Sequence, residues 1–274
     1  MRDLFYLIEM EETIMAFNKN ELILDRVRSL TARDLSTDEL LFRLTSLEEP
    51  TLNCTAEGEE VVDAVGSLIT TLYRAKKATF SATNSLISLD LAAAQYGTKK
   101  VVASDDNKII DRDYEIITIP AGATEITLKR KPVGDIPYIY SIANNEVGTA
   151  YAAGAAASDL EFVQGEDGKI TLPTGLTGKV YVEYDFETNS AVQIRNMAHE
   201  FPEACKVTIF AYFRDKCNEN LLYSGKILCP RAKLNPEQVE LALTSTGKHA
   251  FELVMMSEYC EEENELFTIV VSDN

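Results

Sequence analysis

The 274-residue sequence predicts a mainly β protein of the α+β kind: an antiparallel β-sandwich or open barrel with one flanking helix and an inserted β-rich module. Short runs rich in Val, Ile, Thr, Tyr and Phe recur from about residue 50 onward, bounded by Gly, Pro, Asn and Asp. One well-punctuated helical segment interrupts them, in "FSATNSLISLDLAAAQYGTKK". In the last third, strand patterns follow one another with short polar connections, the pattern of an antiparallel meander.

Composition narrows the function classes. A hydrophobic content of 46% marks a globular chain rather than a disordered one. The formal charge of −18 gives a field that repels phosphate, which argues against high-affinity nucleic-acid binding. No apolar run approaches the roughly 18–20 residues that span a bilayer, so no membrane partner is expected. Asp3, Glu9, Glu11 and Glu12 lie among the apolar residues of the N-terminus, unlike a signal peptide. "MAFNKNEL" at Met15 offers a second natural start, and residues 1–17 are read as an N-terminal extension.

Residues 18–47 read as partly helical. Asn18 or Asn20 can cap a segment whose apolar positions include Leu22, Ile23, Val27 and Leu30. Ser36 or Thr37 opens a second, ahead of Leu40, Leu41 and Leu44. From Pro50 to Ala82 the pattern turns to strand, with an acidic, glycine-containing loop at Ala56–Gly66 and two strands about a turn near Arg74–Lys77.

The helix follows. Asn84 or Ser85 supplies its cap, Leu86, Ile87, Leu89, Leu91 and Ala94 its apolar positions, and Gly97 its left-handed end, over about three turns. Residues 104–186 read as the inserted module, with 18–103 and 187–274 forming one β domain around it. Within the module "GKVYVEYDF" alternates clearly, placing Val180, Val182, Tyr184 and Phe186 on one face. The Ala/Gly-rich stretch 148–160 has little side-chain volume and reads as a mobile loop. In the last third, turns are expected at Asp215–Asn220 and Glu261–Asn264.

The sequence offers little equipment for catalysis, and the reading is of a non-enzyme without cofactors. It has no GxSxG elbow, no P-loop and no dinucleotide fingerprint. Its two histidines, His199 and His249, read as surface or packed residues. The five cysteines, Cys54, Cys205, Cys217, Cys229 and Cys260, have no CxxC pair and read as small core or edge residues. The aspartates Asp105, Asp106, Asp111 and Asp113 lack the spacing and central glycine of a calcium loop, and read as a solvated turn. The chain has no Trp to serve as a sugar platform.

The order of "LTSLEEPTLNCTAEGEEVVDAVGSLITTLYRAKKATFSATNSLISLDLAAAQYGT" and, much later, "YSGKILCPRAKLNPEQVELALTSTGKHAFELV" resembles the tail tube (major tail) proteins of tailed bacteriophages. These in turn are related to the tube proteins of type VI secretion. The resemblance covers about residues 40–100 and 200–274 and is one of pattern and order, carried by the strand, the acidic loop, two further strands, the flanking helix and the late G-x-I-x-x-P-R-A strand.

It implies a virion structural protein, made in the host cytoplasm, whose subunits form stacked, hexameric rings. The tube would conduct DNA past an acidic wall without binding it specifically. It implies further partners in the tape-measure, tail terminator and baseplate or initiator proteins, while a sheath stays open. Under this resemblance Glu57, Gly58, Glu59, Glu60 and Asp63 are candidates for an inter-subunit loop, and Lys76 and Lys77 for charge pairs with a neighbour. Another virion component, in the capsid or baseplate, and a host-surface binding module are the alternatives.

Overall fold

A computed structural model describes residues 21–216, 220–237, 239–257 and 264–272. The N-terminal extension, Cys217, Cys260 and most of the two turns expected in the last third lie outside these residues.

The described residues begin with β1 (Leu22–Asp34), β2 (Leu40–Leu44), β3 (Leu47–Val62), β4 (Leu68–Asn84) and α1 (Leu89–Tyr96), the one α-helix among them. Then come β5 (Val101–Val102), β6 (Ile109–Thr118), β7 (Glu125–Thr127), β8 (Tyr138–Ala143) and β9 (Glu146–Ala153). They are followed by β10 (Glu161–Gln164), β11 (Lys169–Thr171), β12 (Lys179–Thr188) and β13 (Val192–Gln193). The chain closes with β14 (Ala204–Asp215), β15 (Leu222–Leu234), β16 (Glu240–Leu241), β17 (His249–Met255) and β18 (Thr268–Ser272). It divides into two compact units, one from the segments up to Lys99 and from Arg195, the other Lys100–Ile194. The mainly β fold with one helix agrees with the sequence reading.

The first unit is an antiparallel sheet in the order β2-β1-β14-β15-β17-β4-β3, with β16 added to β17 and β18 to β15. Leu30, Phe42, Phe80, Ile209, Leu234 and Leu253 are among the side chains of its core.

Both helices expected in residues 18–47 are strands instead, and the reason is local. β1 pairs with β14 across two β-bulges, between Leu24 and Arg26 and between Val27 and Ser29. Each bulge adds a residue to one strand, so inward positions separated by two become separated by three. Val27, Leu30 and Ala32 therefore all reach the core, at a spacing that mimics a helix. The second helix start is the β1–β2 turn. There the Asp34 carboxylate accepts hydrogen bonds from the Ser36 and Thr37 amides, both at 2.8 Å. Those bonds hold its pKa well below the usual carboxylate range, the Ser36 hydroxyl contributing most.

α1 is shorter than expected and starts later. Its cap is Ser88, whose Oγ accepts from the Leu91 amide at 3.3 Å. Asn84 ends β4, and the Ser85 hydroxyl donates to Glu48 at 2.8 Å. Gly97 closes the helix in the left-handed region, at φ 70°. A Cβ there would also lie 2.2 Å from the Phe201 carbonyl oxygen, so both conformation and space require glycine.

The helix is fastened to the sheet by a buried polar chain. The fully buried His249 accepts at Nδ1 from the Ser88 amide (3.4 Å), and its Nε2 lies 2.5 Å from Gln95 Oε1. The Gln95 amide in turn donates to the Ala250 carbonyl at 3.2 Å. An accepting Nδ1 leaves the proton on Nε2, so the ring sits neutral. Burial lowers its pKa.

The second unit has a seven-stranded sheet in the order β6-β12-β8-β9-β10-β11-β7, parallel only where β10 meets β9. β5 and β13 pair with each other, pinning together the chain's way in and its way out. Val180, Val182, Tyr184 and Phe186 of β12 face the core as their alternation predicts. The stretch expected as a mobile loop is in part β9, whose small residues pair with β8. Low side-chain volume does not prevent a strand when its neighbours supply the core.

A candidate assembly site on the β3–β4 hairpin

β3 and β4 form one long hairpin whose two halves differ. In the inner half Ala78, Phe80, Ala82 and Asn84 are buried in turn, and β17 covers that part of β4 through the register Met255↔Ala78 to His249↔Asn84. In the outer half, from Asn53 to Lys77, every side chain except Thr71 is exposed. At about 3.3 Å per residue, Leu68–Lys77 extends roughly 30 Å with no partner strand but β3 among the described residues.

The boundary is a bulge. Thr55 pairs with Lys77 and Glu57 with Arg74, so the single Ala56 faces both Ala75 and Lys76. Ala75 takes a positive φ of 48°, a conformation that bends the strand and increases its twist.

The expected acidic loop at Ala56–Gly66 is therefore corrected. Glu57, Gly58, Glu59 and Glu60 are strand residues of β3, and the loop shrinks to the tip at 63–67. The turn expected near Arg74–Lys77 is likewise the bulge within β4. The reading failed there because a bulge and a turn share their polar, irregular residues.

Asp63 organises the tip. Its Oδ1 accepts from the Val65 amide at 2.9 Å and the Ser67 amide at 2.7 Å, and Gly66 supplies a φ of 86°. These bonds, the Ser67 amide first, lower its pKa.

The candidate residues come together on this arm. Lys77 Nζ lies 3.2 Å from Glu57 Oε1, and Arg74 lies 2.6 Å from Glu59. The two groups singled out for contacts with a neighbour thus include cross-strand partners within one chain. Lys76 sits beside them at the bulge, exposed. Gly58 faces Tyr73, where a Cβ would lie 3.3 Å from the ring.

The residues that sequence reading missed are apolar. Val62, Val65, Leu68, Ile69, Leu72 and Tyr73 are all exposed on the arm, Val65 at 86%. Their strand signal is genuine. Nothing in periodicity says whether the partner of a face lies in the same molecule.

A hairpin alone is marginal in water, and an exposed apolar patch of this kind makes the arm a candidate for contact with another molecule. A family model described as the YomU/Tube protein family matches residues 22–264, far more than half of the chain. The chain belongs to this family. It is a structural protein of the phage tail-tube class, a virion component, as the tail-tube resemblance of the sequence implies. No curated protein matches it.

Other expected features have plain places. Cys205 and Cys229 are buried and their thiols are pushed up to about 12 and about 11, chiefly by burial, while Cys54 is exposed on β3. Of the four aspartates, Asp105 accepts from Asn189 at 2.6 Å and Asp113 lies 3.6 Å from Arg130. Among the described residues no group of three His, Cys, Asp or Glu could hold a metal ion, and no helix is long and apolar enough to cross a membrane.

Proposed function

We propose that this chain is the repeating subunit of a tail tube, in which copies join side by side into rings and rings stack through the β3–β4 arm. The observation that carries the reading is the outer half of that hairpin, an extended two-stranded arm with Val65, Leu68, Ile69 and Tyr73 open to solvent. Covering such an arm with another copy of the chain buries apolar surface worth about 25 cal/mol per Å² and supplies the missing face of the hairpin. The ion pairs at its base hold the two strands in register without occupying the apolar tip.

Among the described residues the first unit also offers open sheet edges. β2 and β3 end the strand order, and β18 borders β15 as a short exposed strand. Free edges endanger a monomer and serve an assembly, where each is completed by its neighbour. The net charge of −18 suits a wall past which DNA slides, since like charge prevents adhesion to phosphate. Hexameric rings, genome conduction and the tape-measure, terminator and baseplate partners follow from the tail-tube reading and belong to this proposal.

The decisive experiment replaces residues 56–76 with a two-residue Asn-Gly turn between the paired Thr55 and Lys77. The shortened protein is expected to fold, with a melting transition like that of the parent monomer, and to form no rings or tubes by negative-stain microscopy and sedimentation. Normal tubes from the shortened protein would overturn the role of the arm.

A further inference from the structure

The second unit carries a row of tyrosines on the outward face of its sheet, opposite its core. Tyr114 of β6 stacks on Tyr181 of β12 with ring centroids 5.6 Å apart and planes at 26°. Tyr181 is followed by Tyr140 of β8 at 6.2 Å, tilted by 59°, and Tyr140 by Tyr138 on the same strand at 6.4 Å, tilted by 39°. The row crosses three adjacent strands in the order β6-β12-β8. Tyr114 and Tyr138, at its two ends, are 60% and 49% exposed. The next strand, β9, does not cover it, because Ala152 and Ala150 stand opposite Tyr138 and Tyr140.

Beside the row lies a hollow of about 270 Å³, whose lining includes Tyr138, Tyr140, Arg112, Asp135, Glu183 and Asp185. Arg112 is held there by Asp185 at 2.7 Å and Glu183 at 3.5 Å, and the Tyr181 hydroxyl donates to Glu183 at 3.0 Å. Arg112, 67% exposed, thus meets both carboxylates at the surface of this face.

We propose that this face binds an uncharged polysaccharide, with sugar rings laid along the tyrosine row and hydroxyl groups directed to the carboxylates and guanidinium of the hollow. Rings at nearly regular spacing suit a polymer of repeating units. The exposed rings at the two ends of the row, Tyr114 and Tyr138, accept the C–H side of a pyranose, while the carboxylates and guanidinium of the hollow serve its polar edge. The hollow is below the size of drug-sized sites and suits a single sugar unit. Three carboxylates around one guanidinium leave the rim acidic, which disfavours phosphate- or sulfate-bearing polymers.

Exposed Ile116, opposite Tyr181, extends the apolar strip and would also suit a protein surface. The polar hollow and the hydroxyl-bearing rings favour the glycan, and the test separates the two. The inference concerns the second unit and does not rest on the tube reading.

The full chain is run in native gels containing a β-glucan, a mannan or a soluble chitin derivative without charge, and in a gel containing poly(glycerol phosphate). Retardation by at least one uncharged polymer and not by poly(glycerol phosphate) is expected. Tyr114→Ala and Tyr181→Ala should each weaken that retardation at least tenfold, and Tyr114→Phe, which keeps the ring and loses only the hydroxyl, should weaken it less. All variants should keep the parent's melting transition and sedimentation. Unretarded migration in all three uncharged gels, retardation by poly(glycerol phosphate) alone, or retardation indifferent to Tyr114→Ala would each overturn the proposal. Loss of self-association in Tyr114→Ala would also overturn it, by assigning the face to contact between copies.

Discussion

The two halves of the β3–β4 hairpin have the same strands and the same antiparallel pairing, yet different physical situations. In the inner half Phe80 is 2% exposed and packs near Phe251, with ring centroids 6.3 Å apart. In the outer half Ile69 is 65% exposed. Both residues belong to β4, and both have the apolar character of strand interiors. What differs is the partner: β17 covers Ala78–Asn84, whereas among the described residues only β3 pairs with Leu68–Lys77. The outer half thus keeps apolar residues that the described residues leave open to solvent, the observation on which the proposed joint rests.

The sharpest way to break this comparison is to charge the arm. Leu68→Asp combined with Ile69→Asp is expected to abolish tubes, because two carboxylates would have to be desolvated at each joint. The unfolding midpoint of the unassembled protein should stay near the parent's. Tubes that persist in electron micrographs would show that the arm lies outside the joint.

Next in size is the stability contrast itself. Phe80→Ala should cost about 3–5 kcal/mol in the unassembled protein, through lost burial and the cavity left behind. Ile69→Ala should stay within about 0.5 kcal/mol, as for a surface site. Urea denaturation of the two variants measures both. Equal losses would mean that the outer half packs within its own chain.

A smaller effect probes the inner half alone. His249 pairs with Asn84 at its inner end and is buried and neutral, with a lowered pKa. The unfolded chain therefore binds this proton more readily than the folded one, so stability rises with pH. Its contribution is complete above the unfolded value of about 6.5 and is lost as pH falls below it. Melting temperature should fall between pH 7.5 and 5.5, and the fall should shrink in His249→Gln. The carboxylates with lowered pKa values, such as Asp63 and Asp185, titrate below this window. An unchanged slope in the variant would remove His249 as its source.

How much of this was readable in sequence depends on who supplies the partner of each residue. The alternation in β12 was legible because Val180, Val182, Tyr184 and Phe186 face a core made by their own unit. The Gly97 cap was legible because a left-handed helix end is local chemistry. β1 was not, since two bulges gave Val27 and Leu30 a helical spacing. Nor was the arm: Leu68, Ile69 and Leu72 look like core strand, and only the three-dimensional structure reveals that they are exposed and that, among the described residues, β3 alone pairs with them. The tyrosine row was hidden for a similar reason, since Tyr114, Tyr140 and Tyr181 are distant in sequence and meet only through the register of β6, β12 and β8.

The smallest expected effect concerns the base of the arm, where inner and outer halves meet. Lys77 and Glu57 are 65% and 71% exposed, so their attraction is screened by water and opposed by side-chain entropy. Lys77→Ala should change the stability of the unassembled protein by no more than about 0.5 kcal/mol. If the pair serves only to keep the strands in register, tubes should form as before at low and high salt alike. If Lys77 instead exchanges Glu57 for a carboxylate of a neighbouring copy, the variant should need a higher protein concentration to assemble. That difference should fade as added salt screens the charge. Sedimentation of both proteins across a salt series distinguishes the two, and a salt-independent curve for the parent would confine the pair to the arm that contains it.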